Sequence, residues 1–325
     1  MGLDAPLNIH WEITNECNFH CIQCYQQNDE AHTRLTDAQI LSVAHDIVDC
    51  GIFQVSLSGG EPFMVSVLYD VIDLFKRNHI DVLVCSNGSY ISERDIKPLL
   101  DFEVPVQISL DSSDEKTNNL IRGHPQAYKL ALRAIDLLVK SGVDVSIAFC
   151  ASKRNYMDLD GVAETCVAHG VRKLVVGEML PVRGDTKNES LLTRSDYISF
   201  LKYAKRVKQD NRDLEVYINT NWGFIIDADF DHAPCTALDR DFAILYNGNV
   251  TPCPFIRNPD YYLGNVLTQG IKDIWSQSKF SEFYLKKHSG CDRSCAEYER
   301  CMSGCKAEAA NRGWPLEGRD LRCIK

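Results

Sequence analysis

Apolar positions in the first two thirds of the chain alternate between two periods. Short β-branched runs at 8–14, 53–58, 81–86, 104–110, 144–149 and 173–178 read as strands. Between them, 37–50, 65–78, 93–100, 126–141, 157–169 and 194–211 carry apolar residues at helical spacing. Thr36, Asp37 and Gln39 mark a helix start, and Gly51 and Gly142 mark two helix ends. Six strand–helix units in series predict an α/β fold with a parallel sheet, curled by right-handed crossovers into a partial (β/α)6 barrel of TIM-like form. Functional residues of such folds gather on the loops that follow the strands.

The texture changes after about residue 215. Regular alternation fades while Gly, Pro and Cys rise, and Asn247-Gly248 predicts a hairpin turn between 242–246 and 249–251. Two domains are expected, 1–215 and 216–325. A region so poor in apolar periodicity needs staples, and bound metal would supply them.

The net charge of −10 over 325 residues excludes nucleic acid as a main partner, since phosphate binding wants a basic face. No basic n-region and no apolar run of about 18 residues occurs, so neither secretion nor membrane insertion is expected, and the chain reads as cytoplasmic. In a reducing compartment, fourteen clustered cysteines point to metal binding rather than disulfides.

Cys17, Cys21 and Cys24 have the spacing C-x3-C-x2-C on the loop after the first strand. Three thiolates on one tight loop can hold three irons of a cubane and leave the fourth open. Zinc, with His20 as fourth ligand, is the alternative on spacing alone. Gly59-Gly60-Glu61-Pro62 follows the second strand, Ser86-Asn87-Gly88 the third, and Ser109-Leu110-Asp111 ends the fourth, with Arg122 beyond it. Each taken alone reads as a turn or a surface ion pair; their order along one barrel face makes a shared site. Cys235, Cys253, Cys291, Cys295, Cys301, Cys305 and Cys323 form a second constellation, for which paired cysteines also leave zinc open. Cys50, Cys85, Cys150 and Cys166 are expected as buried free thiols.

These motifs resemble the radical S-adenosylmethionine (SAM) superfamily, and the later cysteines resemble its SPASM extension. The resemblance implies that Cys17, Cys21 and Cys24 hold a 4Fe–4S cluster whose open iron chelates SAM, which is reductively cleaved to a 5′-deoxyadenosyl radical. It implies SAM contacts from Gly59, Gly60, Glu61 (toward the ammonium), Ser86 and Asn87 (ribose), Ser109, Asp111 and Arg122 (carboxylate), and Leu180 within 179–184 (adenine). Gln23 stands where the family often has an aromatic, and Tyr25, just after Cys24, is counted among the SAM contacts. Two auxiliary 4Fe–4S clusters are implied, making three. Cys291, Cys295, Cys301 and Cys323 would close one. Cys235, Cys253 and Cys305 would hold the other, with an open iron or a non-Cys ligand from 227–234. An auxiliary cluster suits oxidation because it can accept an electron from a substrate radical.

The family implies a ribosomally made peptide or protein as substrate, matured oxidatively by a crosslink or thioether, with epimerisation as an alternative. Oxidation or rearrangement of a small molecule (amino acid, sugar or nucleoside) is the second reading, and a non-enzymatic metal scaffold the third. A flavodoxin or ferredoxin is the expected electron donor. The first predicted strand begins within ten residues. Leader gripping is therefore expected from a separate protein, or the substrate binds the barrel directly. Glu178, which ends the sixth strand, is read as a base, a substrate contact or a structural residue.

Overall fold

Parallel pairing begins at residue 8 and proceeds in chain order. Strands β1 (Asn8–Thr14), β2 (Gln54–Gly59), β3 (Asp81–Ser86), β4 (Val106–Ser109), β5 (Val145–Ala151) and β6 (Lys173–Glu178) each pair with the next. The computed structural model describes residues 3–26, 34–182, 189–220, 223–226, 235–278, 294–301, 304–313 and 323. Three of the six strands have the expected bounds, and the others shift by one or two residues at each end.

The sheet runs further than the sequence suggests. Strand β7 (Glu215–Ile218) adds parallel to β6, and β8 (Asp241–Ile244) adds parallel to β1 on the opposite side. The antiparallel strands β9 (Asn249–Thr251) and β10 (Gly264–Asn265) follow β8, giving one ten-stranded sheet in the linear order β10-β9-β8-β1-β2-β3-β4-β5-β6-β7. It curves as a partial barrel. The expected hairpin is present as β8 and β9, with Gly248 at φ 83° in its turn. Strand β7 straddles residue 215, and β8 seats part of the later segment in the barrel sheet, so the sheet itself crosses the expected domain boundary.

Helices cover the outer face: α1 (Asp37–Cys50), α2 (Leu68–Arg77), α3 (Glu93–Asp101), α4 (Glu115–Arg122), α5 (Ala127–Ser141), α6 (Leu159–Ala168) and α7 (Arg194–Asp210). Thr36 and Gln39 form a reciprocal capping box at the start of α1. Gly51 (φ 71°) and Gly142 (φ 86°) end α1 and α5 in the left-handed region open to glycine. Helix α4 was not expected; Asp114 caps it by accepting from Thr117 N at 2.8 Å.

Alternation within β1 sorts the two faces. Ile9, Trp11 and Ile13 are buried in the main hydrophobic core under the helices, where Trp11 lies 6.4 Å from Phe75 between ring centroids. Truncating such a buried aromatic costs about 3–5 kcal/mol. The residues between them, His10 and Glu12, face the barrel interior, where a cavity of about 390 Å³ opens at the carboxyl ends of the strands.

Candidate active site

The Cys17–Cys24 loop leaves β1 and is clamped from two sides. On one side the β2 exit lies flat against it: Gly60 N donates to Thr14 O at 2.7 Å, and Glu61 N to Glu16 O at 2.8 Å. A Cβ on Gly60 would sit 2.1 Å from Glu16 O, so only glycine allows this approach. On the other side Ile22 N donates to Ile121 O at 2.9 Å. Gly123, at φ 61°, leaves room for the His20 carbonyl, which a Cβ would meet at 2.0 Å. The ring of Phe19 stacks on His124 at 4.5 Å, and Phe19, Cys21 and Ala127 form a small cluster against which Cys17 and Cys24 pack.

The three thiols share one electrostatic neighbourhood. Burial pushes Cys21 up to about 11, opposed by Arg122 and reinforced by Cys24, Asp111 and Cys17. Cys17 and Cys24 are raised by burial as well. Cys17 Sγ receives Phe19 N–H at 3.4 Å and the Asn87 amide at 3.6 Å. Among the described residues no three His, Cys, Asp or Glu side chains gather closely enough for a single ion. A cubane makes no such demand, because each thiolate takes a different iron.

Glu61 is wholly buried and ties two loops together. Its carboxylate accepts from Ser86 Oγ at 2.8 Å, Asn87 N at 2.8 Å and Phe63 N at 3.2 Å. Burial raises its pKa, against the pull of those donors. These bonds make Glu61 the tie between the exits of β2 and β3 beside the cysteine loop. Glu61, Ser86, Asn87, Gly59 and Gly60 brace the cysteine loop, and none of them lines the cavity.

Tyr25, Ser109, Asp111, Arg122 and Leu180 do line it, together with Gln23 and Glu178. Asp111 is the hub. It accepts from Gln23 Nε2 at 2.6 Å, Cys150 N at 2.8 Å and Arg122 Nη1 at 3.3 Å. Burial raises the Asp111 carboxyl and Arg122 opposes that shift; the nearby thiols and Asp111 keep the guanidinium protonated. A cation at the cavity edge, presented from the last turn of α4, suits a carboxylate ligand. Cys85 and Cys150 also line the cavity; burial pushes Cys85 up to about 12 and raises Cys150, so both keep their protons at neutral pH.

The later cysteines reach the same cavity through the segment that follows Cys253. Burial, then the charges of Cys235 and Cys305, push the Cys253 thiol far above its ordinary value, which places these three in one neighbourhood. Cys301 and Cys323 pack with them against the main core. Cys295 is half-buried; Cys291, residues 183–184 and the segment 227–234 lie outside the described residues. Pro254 and Phe255, which follow Cys253, line the same cavity as Gln23 and Tyr25, which flank Cys24.

Arg257 joins the two sides, a role that sequence reasoning missed. It pairs with Glu12 of β1 through both Nη atoms, and its guanidinium lies over the Tyr25 ring at 4.6 Å. Tyr25 meets Phe255 edge-on at 5.5 Å. Asn311 accepts from Arg257 N at 3.1 Å and donates to Pro181 O at 2.8 Å and Phe255 O at 2.6 Å. A glutamate on the inner face of a strand whose alternate residues are apolar was the available signal.

Residues 11–166 match the family model of the radical SAM superfamily, and residues 235–305 match SPASM, an iron–sulfur cluster-binding domain. The chain belongs to the radical SAM superfamily. As a radical SAM enzyme with a C-terminal SPASM domain, it uses SAM and iron–sulfur clusters. It is similar to the mycofactocin maturase MftC of Mycolicibacterium smegmatis, at 26% identity over 100% of this chain and 84% of that protein. The sporulation killing factor maturation protein SkfB of Bacillus subtilis is 25% identical over 84% of this chain and 66% of its own length. Among solved structures, Streptococcus suis SuiB bound to SAM superposes with a TM-score of 0.83 at 18% identity, covering 100% of this chain and 78% of SuiB. That likeness places this radical SAM chain in the same partial-barrel fold. No helix among the described residues is long and apolar enough to cross a membrane.

Proposed function

We propose that this enzyme matures a ribosomally synthesised peptide by hydrogen abstraction and net oxidation. The observation that carries the reading is the shared cavity. Residues flanking Cys24 and residues following Cys253 line one space at the mouth of the barrel. A substrate held there sits between two groups of thiols. The relatives named as maturases, MftC and SkfB, favour a peptide over a small molecule.

Cys17, Cys21 and Cys24 would hold the SAM-binding 4Fe–4S cluster. The cysteine loop, clamped by Gly60 and Gly123, suits a rigid three-thiolate ligand set. Arg122 would receive the SAM carboxylate, with Asp111, Gln23 and Ser109 shaping the pocket and Leu180 supplying an apolar wall. Bound SAM supplies a 5′-deoxyadenosyl radical on one-electron reduction. Glu61, Ser86 and Asn87 would hold the loop and contact SAM at its ammonium and ribose. Cys235, Cys253 and Cys305 would hold the nearer auxiliary cluster, and Cys291, Cys295, Cys301 and Cys323 the farther one, making three. A small electron-transfer protein such as flavodoxin or ferredoxin would reduce the first cluster, and a separate protein would present the leader of the peptide. The enzyme works in the cytoplasm on this reading.

Anaerobic co-expression with a short peptide encoded beside it, followed by mass spectrometry, tests the proposal. The expected result is loss of two hydrogens per modified site. An unchanged mass in water with one unit gained in deuterated buffer would indicate epimerisation instead. Unchanged peptide in both, with 5′-deoxyadenosine still formed, would overturn the peptide reading.

A further inference from the structure

The inner end of the cavity holds polar groups that the site described above does not use. His10 of β1 and Ser56 of β2 stand side by side in the parallel register, and Leu83 of β3 stands beside Ser56. All three line the cavity. His10 lies four residues before Thr14, where β1 reaches the mouth, a depth of roughly 13 Å at about 3.3 Å per residue. Asp111, Arg122 and Tyr25 lie at the mouth, on loops or helices beyond the strand ends.

No hydrogen bond reaches the His10 imidazole or the Ser56 hydroxyl among the described residues, and both remain partly open to the cavity. Water pairs such groups when the cavity is empty, and a substrate group that displaces it must repeat its hydrogen bonds. The surroundings define that group. The two arginines closest to the cavity mouth are engaged, Arg122 with Asp111 and Arg257 with Glu12, and no cation lines the inner end. Burial holds His10 below its ordinary pKa against the opposing charge of Asp241, so its ring is neutral and offers one donor and one acceptor. A carboxylate would find no counter-charge there. An alkyl tip would leave both groups unpaired. Leu83 beside Ser56, and Ala148 and Val175 on β5 and β6 of the same cavity, are apolar and suit a hydrocarbon stem.

We propose that His10 and Ser56 form a subsite for the uncharged, hydrogen-bonding end of the substrate residue, a hydroxyl, phenol or carboxamide carried on an apolar stem. This assignment rests on the reading of the cavity as the substrate site. It makes His10 and Ser56 specificity determinants rather than catalytic residues.

Phenol and toluene are nearly the same shape and differ where the subsite reads. Their binding to the anaerobically purified enzyme, without peptide, is followed by saturation-transfer NMR. Phenol is expected to bind roughly tenfold or more tightly than toluene. His10→Leu is expected to remove or reverse the preference, and Ser56→Ala, a milder change, to reduce it. Equal binding of the two probes, or an unchanged ratio in both variants, would overturn the subsite. The peptide experiment supplies a second arm: a modified residue ending in a hydroxyl, phenol or carboxamide supports the assignment, and an aliphatic or charged one sinks it. If no peptide is modified, the probe experiment still decides the subsite, so the two readings fail separately.

Discussion

The Arg257 guanidinium closes on the Glu12 carboxylate through both Nη atoms where Glu12 is 0% and Arg257 4% exposed. The two residues lie 245 positions apart in sequence. Removing one partner strands the other's charge in the interior, which costs about 3–5 kcal/mol. Arg257→Leu should lower stability by that amount in urea unfolding under anaerobic conditions. Arg257→Lys should recover only part, because an ammonium cannot repeat the forked contact or lie flat over Tyr25. A loss under about 1 kcal/mol for Arg257→Leu would show that the pair does not hold the two segments together.

Gly123→Ala should damage the first cluster from a distance. The new Cβ would collide with the His20 carbonyl in the cysteine loop, at a φ that side chains rarely adopt. Iron content should fall by about four per chain, the complement of one 4Fe–4S cluster. Formation of 5′-deoxyadenosine should fall with it. Full iron with normal SAM cleavage would mean that the loop yields without cost.

Cys253→Ala probes the auxiliary sites alone. Iron should fall from about twelve to about eight per chain if three 4Fe–4S clusters are present. SAM cleavage without peptide should persist, while peptide oxidation should be lost. An unchanged iron count would remove Cys253 from the ligand set.

Cys166 has no part in the site and reports on the core. Burial in α6 pushes its thiol from 9.0 up to about 12. The folded chain therefore keeps a proton that the unfolded chain gives up. The stability linked to this group is complete below about 9 and is lost as the pH rises toward 12. At pH 8 iodoacetamide should leave Cys166 unlabelled in the folded protein and label it after denaturation, as peptide mapping would read. Rapid labelling in the folded state would contradict its burial.

Much of the barrel is legible in the sequence because its strands are long enough to show a pattern. Asn8–Thr14 and Lys173–Glu178 carry β-branched runs with clear flanks. Strand β7 has four residues, too few for a period to emerge, and β8 was legible only as one arm of a hairpin. The pairing of β8 with β1 joins residues more than 230 apart, which no local pattern encodes. Helix α4 escaped notice because Glu115–Arg122 is mostly polar and buries only Asn118 and Ile121. The site motifs were readable as short strings on strand ends. Arg257 was not, because its meaning depends on Glu12 and Tyr25, which only the fold brings to it.

The seating of β8 beside β1 sets an order of assembly. Strand β1 leaves the ribosome long before β8, and one of its edges stays unpaired until residue 244 has emerged. At about 5–20 residues per second, that wait lasts on the order of ten seconds or more. Through this interval the strand that leads into the Cys17–Cys24 loop has a neighbour on one side only. Closing so long a separation is slow, and an open strand edge is prone to wrong partners. Synthesis of this enzyme should therefore be sensitive to chaperone supply and to truncation anywhere before β8, even where the truncated chain keeps every residue of the first cysteine motif.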